Sequence, residues 1–194
     1  MKNYLVHHGV KGQKWGVRRY QNPDGSLTPV GKKRYSRKRT VFVSGSSKTE
    51  SEDSPYYRKQ LSKEIQNELD KYIASKSKIV VGDAPGIDRQ VQRYLNKKQY
   101  SNVEVYGPGK QVRYSANSRW KTNPIDAPEF EEGSKEWLRK KDIAMTDIAT
   151  EGLAVILDEG AKATRNNIAR LNEQGKSTKV FELSKEGKHK DRWV

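Results

Sequence analysis

The chain reads as an α/β protein with a parallel sheet of about five strands flanked by helices, preceded by a basic and mostly irregular N-terminal arm. Three observations predict this. From residue 40 onward, short β-branched runs alternate with segments of helical period. Leu153-Ala154-Val155-Ile156-Leu157 is almost wholly apolar, as a strand covered on both faces must be. Several strand candidates also end in turns of small and polar residues that feed a helix, the signature of β-α-β units with right-handed crossovers.

The elements follow in order. Thr40-Val41-Phe42-Val43 is a strand ending at Gly45-Ser46-Ser47. Ser54-Pro55 reads as a helix start, Ser as N-cap and Pro at the first helical position. That helix is expected to reach Ala74, with Leu61, Ile65, Leu69, Tyr72 and Ile73 on its buried face. Lys78–Val81 is the second strand, and the segment from Arg89 to about Lys98 an amphipathic helix. Asn102–Tyr106 is the third strand. Gly133–Ala149 is a long helix with Trp137, Ile143, Ala144 and Ile148 on its apolar side. Leu153–Leu157, a helix over Arg165–Glu173 and a strand over Thr178–Leu183 complete the domain. Three regions result: an arm over 1–39, a domain over 40–183, and a polar tail over 184–194.

Composition bounds the rest. In 194 residues the hydrophobic fraction is 32%, enough for one core with much surface and loop left over. Cysteine is absent, which excludes a disulfide framework, a thiolate nucleophile and thiolate metal ligands. The apolar runs fall far short of the roughly 20 residues that span a bilayer, and the N-terminus has no apolar stretch of secretory length. The expectation is an intracellular protein without membrane contact, in a reducing cytoplasm or inside a particle assembled there.

The net charge of +15 is unevenly spread. Residues 1–39 hold eleven Lys and Arg and a single acid, Asp24. Cations Lys11, Lys14, Arg18 and Arg19 interleave with Trp15, a pattern that suits phosphate neutralisation with base stacking; a solvated arm that docks on a protein partner is the alternative. Gln21-Asn22-Pro23-Asp24-Gly25-Ser26-Leu27 is a turn signal, and a hairpin of Val17–Tyr20 against Ser26–Thr28 is compatible with it.

Three turns at expected strand ends form one pocket: Gly45-Ser46-Ser47, Gly82-Asp83-Ala84-Pro85-Gly86, and Asp158-Glu159-Gly160-Ala161-Lys162-Ala163-Thr164. In parallel sheets ligands sit at the carboxyl ends of strands. Glycine turns that open helices aim backbone N–H groups and the positive end of a helix dipole at an anion. Asp83 places negative charge where a phosphate cradle wants none, so it faces a ribose or base edge or acts as a catalytic carboxylate. Asp158 and Glu159 are further catalytic candidates. Asp88 is preferred as a cap of the helix that follows its turn. Lys162 is a phosphate contact. The long segment 107–132 reads as a lid, Arg113 reaching a phosphate and Trp120 stacking on a base, or as an oligomer contact. No set of carboxylates suggests a metal, and no cofactor is indicated.

Taken together these motifs resemble the SLOG group of Rossmann-like proteins, which includes DprA-like, Lonely-Guy-like and YspA/YoqJ-like families. The resemblance spans about residues 40–183. Val43-Ser44-Gly45-Ser46-Ser47 is similar to the group's first-strand motif without its arginine. Gly82-Asp83-Ala84-Pro85-Gly86-Ile87-Asp88 is similar to its G-G-A-x-G-x-D turn, with Asp83 replacing the second glycine. Lys141-Asp142-Ile143-Ala144-Met145 stands where the YoqJ-like pattern has R-N-x-x-M, which adds Lys141 and Asp142 to the ligand-binding set. Asp158–Ile168 is similar to the D-G-x-x-G-G-T-x-x-x-I segment, with Lys162 and Ala163 replacing the paired glycines. The resemblance implies recognition of a nucleotide or nucleotide-derived molecule, of ADP-ribose or cyclic-nucleotide type, and in some members cleavage of an N-glycosidic bond. The Lonely-Guy-like glutamate is missing here: after Thr164 no acid occurs until Glu173. Binding without turnover therefore ranks first, an N-ribosyl hydrolase or transferase second, and a virion-associated or DNA-contacting role third. Residues 7–35 resemble a module recurring in phage and prophage proteins of Gram-positive bacteria. That implies a phage setting, with sensing or sequestering of a host signal, and a phage structural protein or nucleic acid as partner of the arm.

Overall fold

In the computed structural model the described residues are 39–47, 60–157, 161–183 and 189–194, with 22, 24 and 26–29 near the N-terminus. The chain divides into two units, Met1–Lys38 and Arg39–Val194. In the first, the expected turn is present. The Asn22 N–H donates to the Ser26 carbonyl over 2.6 Å, and the Ser26 N–H to Asp24 Oδ1 over 2.9 Å. Hydrogen bonds from Ser26 hold the exposed Asp24 carboxyl below its usual range. Val17–Tyr20, the other half of the expected hairpin, lies outside the described residues, as do Lys11, Lys14, Trp15, Arg18 and Arg19.

The second unit is a three-layer α/β fold. Its strands are β1 (Thr40–Gly45), β2 (Lys78–Gly82), β3 (Val103–Pro108), β4 (Lys121–Ile125), β5 (Glu151–Ile156), β6 (Thr178–Leu183) and β7 (His189–Trp193); its helices are α1 (Lys63–Ala74), α2 (Ile87–Lys97), α3 (Lys135–Ile148) and α4 (Lys162–Glu173). The sheet order is β4-β3-β2-β1-β5-β6-β7. All neighbours are parallel except β6 and β7. Strand order runs outward from β1 in both directions, so the topological switch lies between β1 and β5.

Valines and isoleucines of alternate parity line opposite faces of the sheet. Val41, Val43, Ile79, Val81, Val105 and Val155 pack under α1 and α2, through Ile65, Leu69, Val91 and Leu95. Phe42, Val80 and Tyr106 pack under α3 and α4, through Met145 and Leu171. The turn from β2 into α2 closes tightly on the end of β1. Gly86, the N-cap of α2, has φ +90, and a Cβ there would meet the Ser46 carbonyl oxygen at 2.5 Å. This packing lets the Ile87 N–H donate to that carbonyl at 3.1 Å.

Several expectations are corrected. The sheet has seven strands, because two polar strands close its edges. β4 lies inside the segment read as a lid, and β7 turns residues 189–193 from a tail into a strand antiparallel to β6. β7 is fastened to the sheet by Thr178 and Val194, which exchange both backbone hydrogen bonds. The first helix starts at Lys63 with Ser62 as N-cap; Ser54 and Pro55 lie outside the described residues, and Leu61 is buried ahead of the helix. On α3 the buried stripe is Trp137, Lys141 and Met145, four residues apart, while Ile148 is exposed.

Candidate functional site

A cleft of about 360 Å³ opens at the carboxyl ends of β1 and β5, at the switch point. Its walls come from Ser44–Ser47 at and just past the end of β1, Ala84-Pro85 and Asp88 at the start of α2, Leu138, Lys141, Asp142 and Met145 of α3, and Ala161–Thr164 with Asn167 of α4; Arg113 reaches its edge. A more open groove of about 750 Å³ lies between α1 and α2. It is lined by long solvated side chains such as Gln66, Lys63 and Lys97 and holds neither the glycine turns nor the buried charges. The smaller cleft is the candidate site.

Its floor is an ionic cluster. Lys141, 6% exposed, donates from Nζ to Asp142 Oδ1 over 2.6 Å. Asn167 Nδ2 donates to Asp142 Oδ2 over 3.2 Å and to Ser44 Oγ over 3.0 Å, tying α4 to α3 and β1. Arg170 Nη1 in turn donates to Asn167 Oδ1 over 3.1 Å, orienting the amide. Asp88 completes the floor. A Cβ at Gly82 would run into Asp88 Oδ2 and sit 3.0 Å from Lys141 Nζ, so the strand end must be glycine for the cluster to close.

Burial raises the Asp88 carboxyl to about 7, against the pull of Lys141 and an N–H bond from Ala84 and with the push of Asp142. Burial also disfavours the Lys141 ammonium, but Asp142 and Asp88 outweigh it and hold lysine above its ordinary range. Between Asp88's ordinary value of 3.8 and about 7, the native state holds a proton that the unfolded chain has released. Stability from this group is therefore full below about 4 and lost as pH rises through about 7, at up to about 1.4 kcal/mol per pH unit. Asp88→Asn is expected to flatten that decline, measured as urea midpoints from pH 4 to 8. An unchanged slope would refute it.

The two helix N-termini at the cleft differ. α2 carries Asp88 in its first turn, and that carboxylate reaches back to the Ala84 N–H. It is thus not the N-cap expected; Gly86 holds that place without a side-chain bond. α4 has Ala161 as N-cap, no side-chain cap and no acid in its first turn. Lys162 stands exposed at that end, and Thr164, 2% exposed, lines the cleft.

Asp83 is placed otherwise than expected. It is wholly buried, lies outside the cleft lining, and takes three hydrogen bonds from one residue: Arg113 Nε to Oδ2 at 2.9 Å, Nη2 to Oδ1 at 2.5 Å, and the Arg113 backbone N–H to Oδ2 at 2.9 Å. The carboxylate is thereby consumed as an anchor. The segment after β3 is correspondingly pinned rather than loose. Gln92 Oε1 accepts the Ala116 N–H over 3.0 Å, and Arg89 stands over the Tyr114 ring at 5.0 Å. Trp120 is no stacking platform. It is 4% exposed in the core, and its indole N–H donates to the Tyr100 carbonyl over 2.9 Å. Arg113 retains the expected place, half exposed at the edge of the cleft.

The structure brings together Gly45, Ser46, Ser47, Ala84, Asp88, Arg113, Lys141, Asp142, Ala161, Lys162 and Thr164 as expected, with Gly82 and Gly86 shaping the turns behind them. Asp158, Glu159 and Gly160 lie outside the described residues. Ser44, Leu138, Met145 and Asn167 were not expected. For Asn167 a signal existed: it stands three residues after Thr164, on the same helix face. Among the described residues no group of three His, Cys, Asp or Glu is placed to hold a metal, and no helix is long and apolar enough to cross a membrane.

Comparison with known proteins places only the N-terminus. Residues 1–22 match a family of unknown function (DUF7211). No curated protein and no solved structure matches the chain.

Proposed function

We propose that the unit from Arg39 to Val194 binds a nucleotide or nucleotide-derived small molecule in the cleft between β1 and β5. One observation carries this: an uncapped helix N-terminus and a buried lysine–carboxylate cluster face each other across one cavity at the switch point of a parallel sheet. The cavity volume falls in the range of small-molecule sites, near its lower end. The resemblance to SLOG proteins supports the same ligand class. The resemblance of the arm to a phage module supports a protein that senses or sequesters a host signal in the bacterial cytoplasm. The excess of cations before residue 40 suits an arm that contacts nucleic acid or a virion protein.

The test is the melting temperature of the purified chain against linear and cyclic ADP-ribose-type nucleotides. A ligand at a hundred times its Kd adds about 2.7 kcal/mol, which for a domain of this size is a rise of roughly 5–10 °C. No shift across a broad panel overturns the reading.

One observation favours turnover as a second reading. Burial keeps the proton on Asp88 up to about pH 7 beside the Lys141–Asp142 ion pair, the division of labour an N-glycosidic hydrolase uses for its acid and its cation-stabilising carboxylate. Release of free base from a bound nucleotide, abolished in Asp88→Asn, would establish it; intact ligand after prolonged incubation rules it out.

A further inference from the structure

The two cations that face Asp88 are each held by another carboxylate. Lys141 Nζ is committed to Asp142 over 2.6 Å, and Arg113 Nε to Asp83 over 2.9 Å. Asp88 is the third carboxyl of the group, 7% exposed and part of the cleft lining. Among the described residues, the charged groups that act on it are Lys141 and Asp142 of α3, Asp83 just past β2, and Arg113 after β3. These four form two ion pairs. From its own turn the Ala84 N–H reaches it. Ser44 and Ser46 of β1 and Asn167 of α4 line the cleft without charge, and Lys162 of α4 is the remaining charged side chain of the lining. A proton leaving Asp88 therefore adds one full negative charge to the wall of a cavity of about 360 Å³. A molecule that fills the cavity displaces the water left beside Asp88, which penalises the ionised form further. Where that molecule is an anion, like-charge repulsion acts in the same direction.

We infer that an anionic ligand enters this cleft together with one proton, taken up by Asp88, so that the protein holds its ligand in mildly acidic solution and releases it as the solution turns alkaline. This rests on the nucleotide-binding reading and adds to it a pH-dependent grip on the ligand. Burial, which raises the carboxyl of the free protein to about 7, sets the window. Below that pH the free protein already carries the proton, and affinity is full. Above it each binding event must draw the proton from solution, and one linked proton raises Kd by up to about tenfold per pH unit.

Calorimetric titration of the full chain with ADP-ribose tests it, because the pyrophosphate of this probe keeps a constant charge from pH 5 to 9. NAD is the second probe, for the same reason. Kd should rise by about tenfold from pH 6 to pH 8.5. At pH 7.5, titrations in buffers of different ionisation enthalpy should show net proton uptake on binding. Asp88→Asn should flatten the pH dependence and abolish the uptake. If that variant fails to fold, as judged by its circular dichroism, carbon-13 NMR of the Asp88 carboxyl in the wild-type chain decides: its titration should move to higher pH when the probe is added. An affinity that is independent of pH or rises with it, an uptake that survives in Asp88→Asn, or a carboxyl titration that the probe leaves in place overturns the inference and leaves nucleotide binding standing. Failure of both probes to bind at any pH overturns both.

Discussion

Replacing Lys141 with methionine is expected to lower the unfolding free energy by about 3–5 kcal/mol at pH 8, read from urea unfolding. Methionine fills nearly the same space, so a cavity does not cause the loss. What disappears is the cation that stands between Asp88 and Asp142: Lys141 is 6% exposed, Asp88 is 7% exposed, and Asp142 receives the Nζ at 2.6 Å. Removing one partner of a buried ion pair strands the other charge at low dielectric, which costs more than the pair was worth. Asp88 answers by taking up a proton, and readily, because burial already holds it near 7. The penalty should therefore shrink as pH falls from 8 to 5. A triple variant, D88N/K141M/D142N, removes all three charges and should recover most of the lost stability. If Lys141→Met unfolds at the wild-type midpoint at pH 8, the cluster is not held by its charges.

How much of this was legible from residues follows from which interactions are local. β1, β2, β5 and β6 show in the sequence because strands covered on both faces must be apolar, and Val80-Val81 or Val155-Ile156 have no other way to be read. β4, Lys121-Thr122-Asn123-Pro124-Ile125, is hidden because an edge strand of a sheet needs no apolar run and tolerates proline. β7 is hidden for the same reason. The glycine turns are legible since a left-handed φ at Gly86 and the close approach at Gly82 demand that residue type. Lys141 and Asp142 were reached through the spacing of a family motif; a helix face bearing a lysine gives no sign by itself that the lysine is buried. Trp120 misled because an aromatic in a polar segment resembles a stacking platform. Its role is decided by Tyr100, twenty residues earlier, whose carbonyl accepts the indole N–H. The pairing of Asp83 with Arg113 spans thirty residues and two elements, and no local pattern encodes it.

That pairing predicts an asymmetry. Arg113→Ala should cost about 3–5 kcal/mol in urea unfolding, whereas Asp83→Ala should cost about 1–3 kcal/mol. The partners are unequally placed: the Arg113 side chain is 42% exposed and Asp83 is 0% exposed. A guanidinium that loses its partner turns to water. The carboxylate cannot, and in Arg113→Ala it keeps a single donor, the backbone N–H of residue 113. Gly107 adds to the confinement, since a Cβ there would meet Asp83 Oδ2 at 2.5 Å, leaving the carboxylate no room to swing outward. The same geometry separates anchoring from ligand contact. Asp83 positions Arg113 at the edge of the cleft without lining the cleft itself, so Asp83→Asn should weaken ligand binding only as far as Arg113→Ala does, and the two losses should not add in the double variant. Additive losses would mean that Asp83 meets the ligand independently of Arg113. Equal stability costs for Arg113→Ala and Asp83→Ala would mean that the buried carboxylate finds water in its absence, contrary to its burial.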